Sequence, residues 1–188
     1  MGSVEVDISM SVDGLITGPT EEGAGLGEGG EILHFWFTRD PEGPQLLDDA
    51  LFATSGAVVT SRKVYDGTEG WGESGFYRMP VFVLTHRPHD VVVKGETTFT
   101  FVTDGIEAAI AQARAAAGDK KVHIMGGATV VQQALNARLV DSIHLHVAPV
   151  ILGAGTSLFD NLTAPITLER TEIVESQCAT HLRFRVLR

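Results

Sequence analysis

The sequence predicts a single α/β domain with a largely parallel sheet and a C-terminal antiparallel hairpin. Its 188 residues suit one domain with one sizeable core, and no linker or internal repeat divides them. Short β-branched and apolar runs alternate with segments of helical periodicity, as in βαβ units. The last two runs, residues 166–174 and 180–187, follow one another without a helix and therefore predict the hairpin.

The other elements are predicted in chain order from periodicity and capping signals. The strands are residues 4–10, 57–60, 81–85, 98–102, 121–125 and 142–152, the last interrupted by Pro149. The helices are residues 45–53, the segment between Asp104 and Gly118, and residues 129–139. Asp104 and Glu107 match a capping box, and Gly118 is the expected C-cap.

Composition excludes several classes of protein. Hydrophobic residues make up 44% and charged residues 20%, which is ordinary globular usage. With a net charge of -10, the chain lacks the excess of basic residues that is typical of nucleic-acid-binding proteins. No apolar run reaches the roughly 18 residues of a membrane span. The single cysteine, Cys178, precludes an internal disulfide and fits a reducing compartment, so we expect a cytoplasmic protein without a membrane partner.

A strand, a Gly126-Gly127 turn and a helix occupy residues 121–135. A helix N-terminus has free N–H groups and a partial positive charge, and two glycines let a ligand approach the backbone closely. This unit is therefore a candidate phosphate cradle. By itself it also fits a tight strand-to-helix turn that binds nothing.

A glycine-rich segment at residues 25–30 literally matches G-x-G-x-x-G. It neither follows a strand nor opens a helix, and Glu28 would repel a pyrophosphate, so we interpret it as a loop rather than a dinucleotide fingerprint. The whole stretch of residues 17–30 is long and acidic, which is typical of a lid or binding loop.

Two further strand ends carry donors and cations. The first comprises Thr60, Ser61, Arg62 and Lys63, and the second comprises Leu84, Thr85, His86 and Arg87. Arginine offers a donor fork to phosphate and lysine a point charge, although either segment alone could be an ordinary charged turn. Two such ends beside one sheet edge favour a cofactor, because open α/β sheets bind ligands at the carboxyl ends of their strands.

The remaining candidates are a histidine pair and a carboxylate. His144 and His146 lie two apart on one strand face, but no third metal ligand is evident, so we predict no metal. No G-x-S-x-G elbow indicates a serine hydrolase. Asp13 ends the first strand beside the glycine-rich loop, where it would either protonate a substrate or cap the turn at Gly14.

Taken in order, these segments resemble the dihydrofolate reductase-like family, and within it the reductase domain of the bifunctional riboflavin-biosynthesis deaminase–reductase. The matching blocks are SMSVDGLITGP at residues 9–19, VTSRKVYDG at 59–67, PVFVLTHRP at 80–88, VHIMGGA at 122–128 and a block at 146–159 that contains PVILGAG. The order of the blocks is more specific than any one of them.

The resemblance implies a three-layer α/β/α fold with a mixed sheet of about eight strands and a site for NADPH. Its cofactor-binding residues would be Met10, Ser11, Ile16, Gly18, Thr60, Ser61, Arg62, Lys63, Leu84, Thr85, His86, Arg87, Gly126, Gly127, Ala128 and Thr129. Its substrate-binding residues would be Asp13, His34, Trp36, Phe37 and Val150, with Asp13 also the candidate catalytic group.

The sequence departs from the family at one phosphate-binding loop. The family's usual Gly-Arg-x-Thr is replaced by Ser61-Arg62-Lys63-Val64, which substitutes a glycine that permits close approach and loses a hydroxyl. This change weakens cofactor binding or shifts its specificity. No acidic residue of segment 32–53 matches the carboxylate that binds folate, so true folate reduction is not expected.

Two hypotheses follow. The first is an NADPH-dependent reductase of a small carbonyl, imine or pteridine- or pyrimidine-like substrate, with Asp13 or a water supplying the proton. The second is a non-catalytic nucleotide-binding or ligand-sensing domain, which Ser61 and Val64 favour slightly. The resemblance also implies a homodimer, paired through the strand at residues 143–152 and the C-terminal hairpin.

Overall fold

The computed structural model describes residues 2–20 and 25–188, and it has the predicted alternation of strands and helices. The strands are β1 (Val4–Ser11), β2 (Leu15–Thr17), β3 (Ser55–Ser61), β4 (Pro80–Leu84), β5 (Val92–Lys94), β6 (Thr97–Val102), β7 (Lys121–Gly126), β8 (Ser142–Ala148), β9 (Thr156–Ser157), β10 (Leu168–Glu175) and β11 (Thr180–Val186). The α-helices are α1 (Phe35–Thr38), α2 (Gly43–Leu47), α3 (Arg62–Gly67), α4 (Ile106–Ala117) and α5 (Ala128–Asn136). A 3₁₀ turn, Gly30–His34, precedes α1, and a π turn, Asp48–Phe52, follows α2.

Nine strands form one mixed sheet in the order β10-β11-β8-β1-β7-β3-β4-β6-β5. The six from β8 to β6 run parallel; β5 pairs antiparallel with β6 at one end, and at the other end β11 pairs antiparallel with both β8 and β10. Strands β2 and β9 form a separate two-stranded sheet. The three-layer fold and the hairpin are therefore confirmed, with one strand more than the eight expected in the main sheet.

Alternation along the strands gives the sheet two different faces. On one face, Val6, Val59 and Ile124 pack in a single core with the inward residues of α4 and α5. On the other face, Val58, Val83 and related side chains of β3, β4 and β6 form a second core beneath the π turn. The neighbouring part of this second face, on β1, β8 and β11, is buried but polar.

Three of the boundaries that differ from the sequence-based expectation have a clear physical reason. The capping box is wrong: Gly105, at φ 91°, is the N-cap of α4, and no side chain among the described residues caps that helix. Helix α5 ends at Asn136 because Arg138 has φ 57° and turns the chain. Strand β8 ends at Ala148, immediately before Pro149, which has no N–H for a ladder.

Strand β8 has no open edge for pairing with a second copy. It lies between β1 and β11, and its Ile143 and Leu145 are buried in the core. At this end of the sheet the open edge is β10, beyond β11, where Ile173 and Val174 are exposed. Within the part of the chain that the structure describes, no helix is long and apolar enough to cross a membrane.

Candidate functional site

The predicted cofactor segments meet at one edge of the sheet. Strands β1, β7, β3 and β4 are consecutive neighbours and parallel, so their carboxyl ends lie side by side. In the register, Thr60 pairs with Gly126 and Ser61 pairs with Leu84. The turn after β7, the start of α3 and the loop after β4 are thereby adjacent, as a ligand site of an open α/β sheet requires.

The Gly126-Gly127 turn presents bare backbone at the start of α5. Gly126 has φ 118°, a conformation that L-residues rarely adopt, whereas Gly127 is the extended N-cap with φ -71°. A Cβ atom added to Gly127 would lie 3.4 Å from both Ser61 Oγ and Val64 Cγ2. The missing side chain therefore leaves a narrow cradle between the N-termini of α3 and α5.

Ser61 joins the two walls of this cradle. Its hydroxyl oxygen caps α3 by accepting a hydrogen bond from the Val64 N–H at 3.2 Å, and it also accepts one from the Gly127 N–H at 3.3 Å. Both donors are groups that an anion at these helix ends would use. The departure from the family motif thus has a structural effect: the serine occupies two donors that a glycine would leave free.

The cations lie at the rim of the cradle. Arg62 donates from Nε to Asp66 Oδ1 at 2.7 Å, and Lys63 is exposed. In the next loop, Thr85 is buried and accepts from the Arg87 N–H at 3.1 Å, while His86 and Arg87 are exposed. The structure therefore brings together the predicted donors and cations, with Arg62 already paired within its helix.

Asp13 fixes two loops to each other. Its carboxylate accepts hydrogen bonds from the Ser11 hydroxyl at 2.6 Å, from the Gly153 N–H at 2.8 Å and from the Leu152 N–H at 3.2 Å. The Ser11 bond and the two backbone bonds hold the pKa of the exposed Asp13 carboxyl below its ordinary value. Both oxygens are thus engaged in joining the β1–β2 loop to the loop after β8.

The β1–β2 region also contacts the glycine-rich segment. The Gly18 N–H donates to the Leu26 carbonyl at 2.9 Å, and a Cβ on Gly18 would overlap the Glu28 carbonyl oxygen. Ile16 is buried and Met10 partly buried in the adjoining core. The predicted lid at residues 17–30 is described except for residues 21–24, which lie outside the described ranges.

The predicted substrate residues separate into two groups. Trp36 is buried: its indole N–H donates to Ser9 Oγ at 2.8 Å, and its ring stacks on His146 with centroids 4.0 Å apart. His34 and Phe37 are only partly buried and lie 4.9 Å apart by ring centroids. Burial and the nearby His146 lower the pKa of His34 to about 4, so its ring is neutral at pH 7.

Val150 lies at the opposite side, in the loop after β8. Its carbonyl oxygen accepts from the Val12 N–H at 2.9 Å, which is a second bond between the loops that Asp13 joins. Val150 is partly exposed, whereas Val12 is 61% exposed. Of the predicted substrate residues, Trp36 is buried, whereas Asp13, His34, Phe37 and Val150 are exposed or partly exposed.

Sequence reasoning missed the partners of His144 and His146. The structure places Asp7 of β1 and His181 of β11 beside them, on the buried polar part of the second face. His181 pairs with His146 in the β11–β8 ladder. The alternation of the hairpin strands was visible in the sequence, but the register that brings these residues together was not.

Comparison with known proteins adds family membership to this geometry. The family model described as the RibD C-terminal domain matches residues 3–182. The chain belongs to the RibD C-terminal domain family. The resemblance read from the motif order is thereby confirmed, and with it a reductase family and the dihydrofolate reductase-like fold.

Solved structures similar to this RibD C-terminal domain share its fold at low sequence identity. A putative riboflavin biosynthesis protein from Shewanella sp. PV-4 has TM-score 0.77 and 22% identity over 99% of each chain. Dihydrofolate reductase from Enterococcus faecalis, complexed with NADP(H), has TM-score 0.66 and 15% identity, covering 100% of this chain and 98% of the other. Acinetobacter baumannii RibD has TM-score 0.68 and 14% identity, and this chain spans 59% of its length. A search of curated proteins found no match.

Proposed function

We propose that this RibD C-terminal domain is an NADPH-dependent reductase of a small carbonyl, imine or pteridine- or pyrimidine-like compound. One observation carries the proposal: the ends of β1, β7, β3 and β4 bring the Gly126-Gly127 turn, Arg62 and Thr85 to one sheet edge. Family membership and the NADP(H) complex of the Enterococcus faecalis reductase, which shares the fold, support it.

The residues of the cradle suit a dinucleotide phosphate. Gly127 leaves space that a Cβ would fill, so the backbone of Gly127, Ala128 and Thr129 would hold the diphosphate at the start of α5. Lys63 and Arg62 would supply positive charge for the phosphate on the adenosine, which favours NADPH over NADH. When bound, the nicotinamide supplies a hydride; orientation and exclusion of water are left to the protein.

We propose that Asp13 positions neighbouring groups and that a water molecule donates the proton to the substrate. Its carboxylate is fixed by three hydrogen bonds and stays ionised at neutral pH, so it has no proton to donate. By joining the two loops it would hold Met10 and Ser11 beside the nicotinamide and Val150 beside the substrate. His34 is neutral at pH 7 and would act there as a hydrogen-bonding partner of a heterocycle.

Titration with NADPH and with NADH by calorimetry tests the cofactor claim. Gly127→Ala is a suitable probe, because φ -71° accepts alanine while the new methyl group enters the cradle. Gln112→Ala, an exposed substitution on α4, is the control. We expect saturable NADPH binding that Gly127→Ala weakens and the control retains; no NADPH binding by the parent protein would refute the proposal.

Turnover requires a separate experiment, because Ser61 favours a second candidate function. Since its hydroxyl occupies the Gly127 and Val64 N–H groups, the site is also compatible with a domain that binds a nucleotide without reducing anything. Oxidation of NADPH should be followed with a panel of aldehydes, imines, pterins and aminopyrimidines. Oxidation with any of them supports the reductase; binding without oxidation across the panel supports the alternative.

We further propose that the protein is a cytoplasmic homodimer. The open strand edge of β10, with the exposed Ile173 and Val174, supports pairing between two copies, and β5 is the open edge at the other end of the sheet. Light scattering at micromolar concentration should report twice the mass of the chain, and a monomer mass would contradict the dimer. The single cysteine supports the reducing compartment, which fractionation of the source cells would test.

A further inference from the structure

A histidine cluster lies inside the protein, on the buried polar part of the second face of the sheet. It consists of His144 and His146 on β8, His181 on β11 and Asp7 on β1, and we call it the histidine–aspartate cluster. All four residues are at most 9% exposed. One nitrogen from each of the three rings lies within 4.8 Å of one from each of the others.

The hydrogen bonds of His146 and His181 with Asp7 and Ser176 indicate which ring nitrogen carries the proton. Asp7 Oδ1 is 3.0 Å from His146 Nε2, and a carboxylate can only accept, so the proton of His146 is on Nε2. Ser176 donates its hydroxyl proton to the Ala179 carbonyl, which leaves its oxygen to accept from His181 Nε2 at 3.0 Å. With this arrangement of protons, both rings present a lone pair on Nδ1, the atom with which each could bind a metal.

Those two lone pairs face each other. His146 Nδ1 and His181 Nδ1 are 2.6 Å apart, which is repulsive unless a positive charge lies between them. That charge is either an extra proton or a metal ion. The third ring, that of His144, favours a metal ion, because one of its nitrogens lies within 4.8 Å of the other two ring nitrogens and an extra proton needs no third ligand.

Asp7 also lacks a lysine or arginine partner within the described ranges. Its ion-pair contacts there are with His144 and His146 alone, whereas Lys121 pairs with Glu5. Asp7 Oδ2 lies 2.9 Å from His144 Nδ1, and Arg183 Nη2 approaches the same nitrogen at 3.2 Å. Arg183 approaches His144 rather than Asp7 itself, so a further positive charge beside the rings would stabilise the buried carboxylate.

We infer that the histidine–aspartate cluster binds a divalent first-row transition metal, with zinc as the expected ion, through His144, His146 and His181. Three imidazoles are a common zinc ligand set, and a carboxylate that accepts from the far nitrogen of a ligating histidine is the usual outer partner. Asp7 would accept in this way from the Nε2–H of His146, and the Ser176 hydroxyl oxygen from the Nε2–H of His181. Nitrogens on a tetrahedral zinc lie about 3.3 Å apart, so the His146 and His181 rings must separate slightly on binding.

The bound ion would connect β1, β8 and β11 and hold the ring on which Trp36 stacks. Its role is therefore structural, supporting α1 from beneath. The inference does not depend on the proposed reductase activity, because none of the histidine–aspartate cluster lies at the carboxyl-edge cradle.

The test uses the full chain without an affinity tag. We expect zinc to be bound in equimolar amount, measured by elemental mass spectrometry after dialysis against a chelator and reloading. Replacement by cobalt should give the visible absorption bands of a nitrogen-ligated ion. Free zinc at about 100 times its Kd should raise the Tm by about 5–10 °C.

Matched variants locate the ion. His181→Gln should abolish equimolar binding, and Asp7→Asn should weaken it about 10- to 100-fold. His123→Gln is the control: His123 is buried on the same face, on β7, and its Nδ1 has no hydrogen-bond partner among the described residues. The control should bind fully.

Two results would overturn the inference. One is a parent protein that shows neither equimolar metal, nor cobalt bands, nor a rise in Tm; the cluster would then share a proton instead. The other is a His181→Gln variant that still binds equimolar metal. If the variants do not fold, the cobalt spectrum and stoichiometry of the parent protein decide the question alone.

Discussion

Replacing Ser61 by glycine should tighten the binding of NADPH. The substitution restores the family residue and removes the hydroxyl oxygen that accepts from the Gly127 and Val64 N–H groups. Both donors would become available to phosphate oxygens, which are charged and therefore stronger acceptors than a serine hydroxyl. The φ of Ser61 is -93°, so glycine imposes no new backbone conformation.

The size of the effect follows from the two donors. A hydrogen bond to a charged group contributes about 1 kcal/mol more than one to a neutral group. If a phosphate reaches one or both donors, the gain is about 1–2 kcal/mol, or a Kd about 5- to 30-fold lower. The loss of the serine N-cap and the added flexibility of glycine should together lower the free energy of unfolding by about 1 kcal/mol.

Calorimetric titration with NADPH at constant ionic strength measures this change, and Ser61→Ala separates its causes. Alanine also releases the two donors but retains a Cβ. If release is the cause, both variants bind more tightly; if closer approach is the cause, glycine alone does. An unchanged or larger Kd for both variants would refute the reasoning and make the Ser61 hydroxyl a phosphate ligand itself.

Three other substitutions test the remaining geometry. Gly127→Ala should raise the Kd for NADPH at least tenfold by filling the cradle, which calorimetry measures. Its unfolding free energy, measured by denaturant melts, should change by less than about 1 kcal/mol, because the φ of Gly127 suits alanine. The pKa of Asp13 is lowered in the folded state, so its contribution to stability is complete above the ordinary carboxyl pKa and is lost as pH falls through the folded value. Asp13→Asn should therefore make the fall of Tm with decreasing pH shallower in that acidic range. Equal slopes of Tm against pH for the parent protein and the variant would contradict this prediction. Trp36→Phe leaves the Ser9 hydroxyl without its buried donor and should cost about 1–2 kcal/mol of unfolding free energy, whereas a neutral result would mean that water replaces the indole N–H.

Local signals predicted the parts of the fold that depend on neighbouring residues. The strand, glycine turn and helix at residues 121–135 were readable because strand periodicity, the Gly126-Gly127 pair and the apolar helix face all lie within one short segment. Helix α3 was missed although Ser61 is a good N-cap, because its six residues are too few to show periodicity. The capping-box prediction at Asp104 was wrong because Gly105, with φ 91°, is the N-cap of α4 instead.

The long-range pairings could not be predicted. His144 and His146 were recognised as sharing a face, but their partners come from β1 and β11, whose neighbours and register are set by the packing of the whole sheet. The same holds for Ser61, whose change in sequence was noted as a departure. Its bond to the Gly127 N–H depends on the β3–β7 ladder, so its consequence became visible only in three dimensions.

The central position of β1 has a consequence for how the chain folds. Among the described residues, β1 pairs with β7 and β8 alone, so every ladder partner of its residues lies at position 122 or later. Such distant pairing requires the closure of a long loop before any contact forms, which slows folding. During synthesis, the apolar face of β1 must remain unpaired until most of the chain has left the ribosome. Nascent chains stalled before β7 should therefore expose Val4 and Val6 to chaperones, and a chain that includes β8 should bury them.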